Sequence, residues 1–328
     1  MVLSQDIGSK PQRAQIAPEN SNATNAQNAH VARLRILAAF GIICFHTTDG
    51  IAKTVGYAGL PIFLILGYVL QIQTKKQIGF QEFLQRRFNR LIIPWFFWSA
   101  IYLLPLFIKL LFKGAAFGNI FKPYMLFTGT AIHLWFLPFF FVFAVIGKLV
   151  ADRLIGRSMA GIAVAYGLMG LLTLVACALL LPVVVEYRPL GEWAFGIPSF
   201  FFGFAIGYGI LNFRNRAYFA GYILVLNIAV LVTALWLYSF GASALTLQYS
   251  IAVPAVSLCF LGKGTLDRFS KRLSQQTYGI YLIHPLVANA WEMISRKNGS
   301  IILSVGMIFI ASALLTEALL RTRLKQMV

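Results

Sequence analysis

Residues 33–46, RLRILAAFGIICFH, set an arginine and a histidine at the two ends of an apolar helix. From Ile36 to Phe45 no side chain is charged and none carries a hydroxyl or an amide. A charge inside such a segment is costly to insert, so each polar end needs a reason to be there. Eleven residues separate Arg35 from His46. At 100° per residue they come to about 1100°, some 20° past three full turns, so both side chains face the same way about 16 Å apart along the axis. Arg33 falls on another face and is expected to snorkel to the membrane surface as an orientation charge. Asp49 lies one turn beyond His46, where a continuous helix would let it orient or charge the imidazole.

Composition makes this stretch one of many. Of the 328 residues 59% are hydrophobic and only 12% charged, and the mean hydropathy is +0.76. Soluble domains carry about a quarter charged residues. The fold class expected is an all-α polytopic membrane protein. Long continuous apolar runs without two-residue alternation exclude a barrel. With about 20 apolar residues needed to cross a bilayer, ten spans are expected near 34–52, 56–73, 91–110, 131–150, 159–183, 195–213, 217–239, 245–262, 275–293 and 300–319. The sequence divides into a polar, Asn- and Gln-rich tail over 1–30, expected to be disordered, a transmembrane region over 31–320, and a short basic tail over 321–328.

The net charge of +18 does not indicate nucleic acid, because the basic residues fall in short clusters between apolar runs. One set of inter-span regions holds 21 of the 28 Lys and Arg, from Lys10 to Arg35, Lys75 to Arg90, Lys148 to Arg157, Arg214 to Arg216, Lys263 to Arg272 and Arg321 to Lys325. By the positive-inside rule that side is cytoplasmic, and with ten spans both termini lie there. Cys44, Cys177 and Cys259 are scattered through apolar segments without a CxxC, which supports neither a zinc site nor a redox pair. Gly203 and Gly207 are spaced for close helix packing.

Polar chemistry gathers in four places. The Arg35–His46 face suits a ligand with an anionic head and a long thin arm: the guanidinium takes phosphate, and the imidazole takes a proton from an attacking hydroxyl. An inside charge and a hydrogen-bonded helix contact account for the same two residues. FLQRRFNRLIIPWF, residues 83–96, carries Arg86, Arg87 and Arg90. These serve equally as orientation charges, as further phosphate ligands beside Arg35, or as contacts to anionic lipid headgroups. In YGIYLIHPL, residues 278–286, Tyr281 and His284 share a helix face with Thr277, and Pro285 bends the helix. An intramembrane histidine is a functional candidate; packing explains it as well. AIHLWFLPFF, residues 131–140, sets His133 and Trp135 at the outer start of a span, where tryptophan fits an interfacial belt.

Taken in order, these segments resemble the acyltransferase type-3 family of integral membrane acyltransferases. LRILAAFGIICFH is similar to the family's Arg-x10-His element, and PIFLILGYVL (61–70) to its Phe-x-Leu-Ser-Gly stretch. RRFNRLIIPW (86–95), HLWFLP and TYGIYLIHPLV follow in the family's order. The resemblance spans about residues 33–320. It implies His46 as the catalytic base, Arg35, Arg87 and Arg90 (with Arg86 alongside) on an acyl-CoA donor, and His133, Trp135, Tyr281 and His284 lining the route or the acceptor pocket. It also implies acetyl-CoA as the usual donor with no metal, a saccharide or lipid-linked saccharide as acceptor, membrane lipids as surroundings, and a bacterial inner membrane. Two positions depart from the pattern: Arg33 replaces an acidic or amide residue, and Leu66 replaces the serine before Gly67. No fused extracytoplasmic hydrolase-like domain is expected, so transfer by one protein is the simplest scheme. The rival expectation is a proton-coupled transporter or flippase, which intramembrane His, Arg and Asp also suit.

Overall fold

A computed structural model describes residues 21–73, 78–113, 122–154, 158–213, 215–241, 243–262, 264–295 and 300–328. Residues 1–20 of the expected tail and the orientation charges Lys75, Arg157, Arg214 and Lys263 lie outside the described residues. The described residues are helical, with no strand among them.

The first helix, α1 (Ser21–Thr47), takes up the last ten residues of the expected tail as its opening turns. Next come α2 (Gly50–Gly56) and α3 (Gly59–Gln73). A third passage combines α4 (Phe80–Arg87), a π-helical turn (Phe88–Ile92) and α5 (Ile93–Lys113). The short α6 (Met125–Thr128) and a 3₁₀ turn (Ile132–Trp135) lead into α7 (Phe136–Arg153). Then follow α8 (Met159–Val184), α9 (Leu190–Asn212), α10 (Arg216–Ser239), α11 (Ser243–Cys259), α12 (Arg268–Ser295) and α13 (Ile301–Leu320). A 3₁₀ turn (Arg323–Met327) closes the chain. Each expected span is thus met by a helix. Among the described residues, eight helical passages are long and apolar enough to cross a membrane; α11 is shorter, and α12 begins in a basic, polar stretch.

The burial pattern separates lipid-facing helices from central ones. Leu224, Ile228, Leu231 and Leu235 recur at helical spacing along α10, all exposed. An apolar stripe of that length would be a liability in water and is the normal outer face of a membrane bundle. α9 lies at the centre, with Phe202, Phe204, Ala205 and Ile206 fully enclosed. Tyr249 shows how a polar group inside is matched: it donates to the Phe195 carbonyl at 2.7 Å and bonds Ser199 at 2.7 Å. Such pairing is obligatory where water cannot substitute.

Two close crossings set the positions of α1 and α9. The Cα of Gly41 lies so near Gly56 that an added Cβ would stand 2.8 Å from the Gly56 carbonyl oxygen, which fixes α1 against α2. A Cβ at Gly203 would stand 2.6 Å from Tyr68 Cβ and 2.9 Å from the Ile65 carbonyl oxygen of α3. One turn later Gly207 meets Ile72, so the small-residue spacing is used as its sequence suggested. At one end of α12, Glu317 of α13 binds Arg272, accepts from Gln276 Nε2 at 2.5 Å, and pairs with Arg321 at 3.0 Å. The C-terminal turn docks on the bundle, where Trp98 Nε1 donates to the Met327 carbonyl at 2.7 Å.

Gly203→Val should force α9 off α3 and cost about 1–3 kcal/mol, read as a clear fall in the melting temperature of the purified protein in detergent. Gly221→Val, where an added Cβ meets nothing within 4 Å, should melt like the wild type. Equal melting of both variants would show that the α3–α9 crossing does not depend on the glycine.

Candidate active site

The two ends of the opening stretch line two different pockets, and α12 accompanies both. A pocket of about 410 Å³ is lined by Arg35 of α1, Arg87 and Arg90 of the third passage, and Gln71, Ser274, Gln275, Thr277, Tyr278 and Tyr281. A second pocket, of about 350 Å³, is lined by His46 and Thr47 with Pro285, Ala288 and further residues of α12 and α13. Residues 274–278 stand beside Arg35 and residues 285–288 beside His46, so α12 runs in the same direction as α1. Arg35 and His46 therefore do meet a common neighbour along one side of α1.

The arginine pocket carries three guanidiniums and no carboxylate among its lining residues. Arg87 rests over the rings of Phe83 and Phe140, at 5.2 and 5.8 Å from their centroids, and its Nη2 donates to Gln71 Oε1 at 3.5 Å. Gln71 is itself held by the Ala144 carbonyl at 2.9 Å. The remaining wall is apolar: Leu60, Phe63, Leu64, Leu66, Leu70 and Phe136 are part of it. Concentrated positive charge beside an apolar channel is the complement of an anion with a thin, mostly apolar extension.

The π-helical turn explains which arginines enter. Inserted at Phe88–Ile92, it widens the helix just after Arg87, and such turns recur at functional sites. Arg87 and Arg90 line the pocket, whereas Arg86 stays on the exposed face, ion-paired with Glu82, and is not part of the lining. Arg33 likewise points away, its Nη2 donating to the Thr265 carbonyl at 3.0 Å.

At the other end, rings of three histidines converge. His46 lies 5.0 Å from His284 between ring centroids, and His133 lies 5.9 Å from His284. Tyr281 ties the group together. It lines the arginine pocket, and its Oη donates to the His133 carbonyl at 2.6 Å. The dipeptide His284–Pro285 sets the imidazole. Proline lacks the N–H that would bond the carbonyl four residues back, which leaves the Tyr281 carbonyl free. His284 Nδ1 takes that carbonyl at 2.7 Å. The neighbouring Leu282 carbonyl accepts from Tyr102 Oη, also at 2.7 Å. A carbonyl only accepts, so Nδ1 carries the proton and neutral His284 presents Nε2 as a bare lone pair. That Nε2 is fully buried and has no hydrogen-bond partner among the described residues. His46, by contrast, remains open towards its pocket.

Other expected residues are placed differently. Asp49 does not line the pocket that His46 opens to. α1 ends at Thr47, Asp49 adopts extended backbone as the N-cap of α2, and its side chain, 98% exposed, pairs with Lys53 at 3.9 Å. The helical arithmetic fails because the helix stops. Trp135 is buried against Phe139 at 5.4 Å and is not among the residues lining either pocket. His133 joins the histidine group without lining either pocket. Residues that the sequence reading passed over are Gln71, Tyr278, Asn289, Trp291 and Glu292. Gln71 follows the PIFLILGYVL segment and Tyr278 opens YGIYLIHPL, both close enough to have been noticed; Asn289, Trp291 and Glu292 gave no local signal.

An all-helical membrane bundle with a cationic pocket at one end of a helix and an open imidazole at the other defines a polytopic membrane protein equipped for group transfer. The chain belongs to the acyltransferase type-3 family: residues 31–319 match the family's model, described as an acyltransferase domain. It is a membrane acyltransferase. No curated protein and no solved structure matches it.

His46→Ala should lower acyl transfer by about 10²–10⁴-fold, the usual loss on removing a general base. Asp49→Ala should stay within about twofold of wild type, as an exposed surface pair contributes little. Comparable losses in both variants would restore Asp49 to a role beside His46.

Proposed function

We propose that the protein moves an acyl group, acetyl in the simplest case, from cytoplasmic acyl-CoA to a hydroxyl of a saccharide or lipid-linked saccharide at the outer side of a bacterial inner membrane. One observation carries the reading. The pocket of three unpaired-by-acid guanidiniums extends to Tyr281, three residues before the His284 whose ring meets His46. A donor with phosphates at one end and a reactive thioester at the end of a slender arm fits that layout. Positive-inside charge bias puts Arg35 at the cytoplasmic end, where acyl-CoA is made.

In this mechanism Arg35, Arg87 and Arg90 hold the CoA phosphates, and the pantetheine arm runs along the apolar wall towards Tyr281. His46 takes the proton from the acceptor hydroxyl as its oxygen attacks the thioester carbonyl. The new C–O bond forms, the C–S bond breaks, and the departing thiolate receives the proton from His46. The products are the ester and free CoA. His284 acts as a positioning residue: in the reacting arrangement the N–H of His46 turns towards its bare Nε2, 5.0 Å separating the two ring centroids before it does so, which leaves the other ring nitrogen of His46 free as the base. The same lone pair then stabilises the imidazolium that forms.

Arg87→Ala should weaken acetyl-CoA binding by about tenfold or more, the scale of a lost charge-assisted hydrogen bond, measured by isothermal titration on the purified protein in detergent. Pro285→Ala should leave that affinity intact and slow transfer by about tenfold or more, because a restored N–H competes with His284 for the Tyr281 carbonyl. A folded wild-type protein that neither binds nor consumes acetyl-CoA would overturn the reading in favour of a carrier.

A further inference from the structure

We infer that three rings at the inner end of the arginine pocket, those of Phe63, Phe136 and Tyr281, set the size of the acyl group that can be transferred and restrict it to short chains. The inference rests on the acyl-transfer reading and adds to it the residues that select the donor's acyl group.

The pocket has a polar end and an aromatic end, and three helices agree on which is which. On α3, Gln71 stands beside Arg87. Phe63 lies eight residues earlier on the same helix, about 12 Å away along the axis. On α7, the Phe140 ring lies 5.8 Å from the Arg87 guanidinium, and Phe136, one turn back, meets the Tyr281 ring at 4.5 Å. On α12, Tyr278 Oη donates to the Arg90 carbonyl at 3.2 Å, and Tyr281 follows one turn further on. A donor whose phosphates lie among the arginines therefore arrives at these rings with its acyl group.

The rings are held in place. Tyr281 is 5% exposed, and its Oη is engaged by the His133 carbonyl at 2.6 Å. Phe136 and Phe63 both stand edge-to-face to it, at 75° and 72° with centroids 4.5 and 6.5 Å away, an arrangement that aromatic rings favour. Behind Tyr281 are His284 at 5.8 Å and His133 at 5.9 Å between ring centroids. None of the three histidines lines the arginine pocket, whereas all three rings do. The thioester carbonyl must pass the rings to reach His46, and the chain it carries must find room among them. A methyl group asks little of a packed interior. Several further methylenes must displace side chains that are already close-packed, which is resisted. At an apolar wall even one methylene discriminates by about 10–200-fold. Loss of the Phe136 ring would open space at the end of the arm and leave the arginines, the Tyr281 hydroxyl and the histidines as they are.

The test compares acetyl-CoA with hexanoyl-CoA on the full chain, with free CoA as reference. Affinity is read by isothermal titration in detergent, and transfer by incorporation of the radiolabelled acyl group into the acceptor already present in native membranes. The wild type should bind acetyl-CoA about tenfold or more tightly than hexanoyl-CoA and transfer acetyl by a similar margin. Phe136→Ala should narrow both gaps to within about threefold and bind free CoA within about twofold of wild type, because the phosphate contacts are untouched. Phe63→Ala should do the same from the opposite wall, and it takes over if Phe136→Ala does not keep a cooperative melt. A wild type that binds and transfers both donors equally would overturn the inference, whether or not either variant folds. An unchanged gap in a folded variant would also overturn it. So would an equal loss of both donors and of free CoA, since the ring would then support the arm and not the acyl group. A folded wild type that binds no form of CoA is a different failure, that of the acyl-transfer reading itself.

Discussion

A guanidinium cannot be left against hydrocarbon, and that constraint organises this bundle. Arg35 and Arg87 sit inside or beside helices whose outer faces are apolar, and both turn into the same enclosed space. The helices around them must therefore make a pocket, and the pocket must offer polar company: Gln71, Ser274, Gln275 and Thr277. What it does not offer is a carboxylate. Uncompensated positive charge in a partly enclosed site is costly until an anion arrives. An anionic ligand is the economical explanation for keeping three arginines together there, and on the proposed function binding of the donor would complete the pocket's charge balance.

The histidines answer to a second constraint, that buried polar atoms find partners. Pro285 breaks one helical hydrogen bond and so creates an acceptor on the Tyr281 carbonyl for His284 Nδ1. The cost of a proline inside a helix is offset by a side chain of the same helix, and the outcome is a fixed tautomer. His284 Nε2 is left unmatched within the described residues. Buried atoms of that kind are rare in native interiors, and here the atom belongs to the ring that meets His46, whose imidazole opens to a pocket. The local defect and the open His46 are best understood together.

How far the sequence could be read depends on where regular geometry holds. The same-side placement of Arg35 and His46 follows from 100° per residue because α1 is unbroken from one to the other. The identical reasoning fails for Asp49, three residues further on, because α1 ends at Thr47 and the chain turns extended. Arg86 could not be told from Arg87 and Arg90 without the π-helical turn, which no periodicity announces. Trp135 was assigned by its place at a span's start, yet a 3₁₀ turn buries it. The pairing of α1 with α12, which assembles both pockets, joins segments more than two hundred residues apart in the chain. Local pattern holds no record of it, although TYGIYLIHPLV carried the residues concerned. The family resemblance supplied the order of those segments, and the structure supplied their juxtaposition.

The most direct measurement is a cryo-electron microscopy structure of the purified protein in a lipid nanodisc with acetyl-CoA. Density for the nucleotide phosphates among Arg35, Arg87 and Arg90, with the acyl end at Tyr281 and the His284–His46 pair, is the predicted result. Density for CoA in the pocket of Asn289 and Trp291, with its phosphates away from the three arginines, would contradict the donor's place in the arginine pocket.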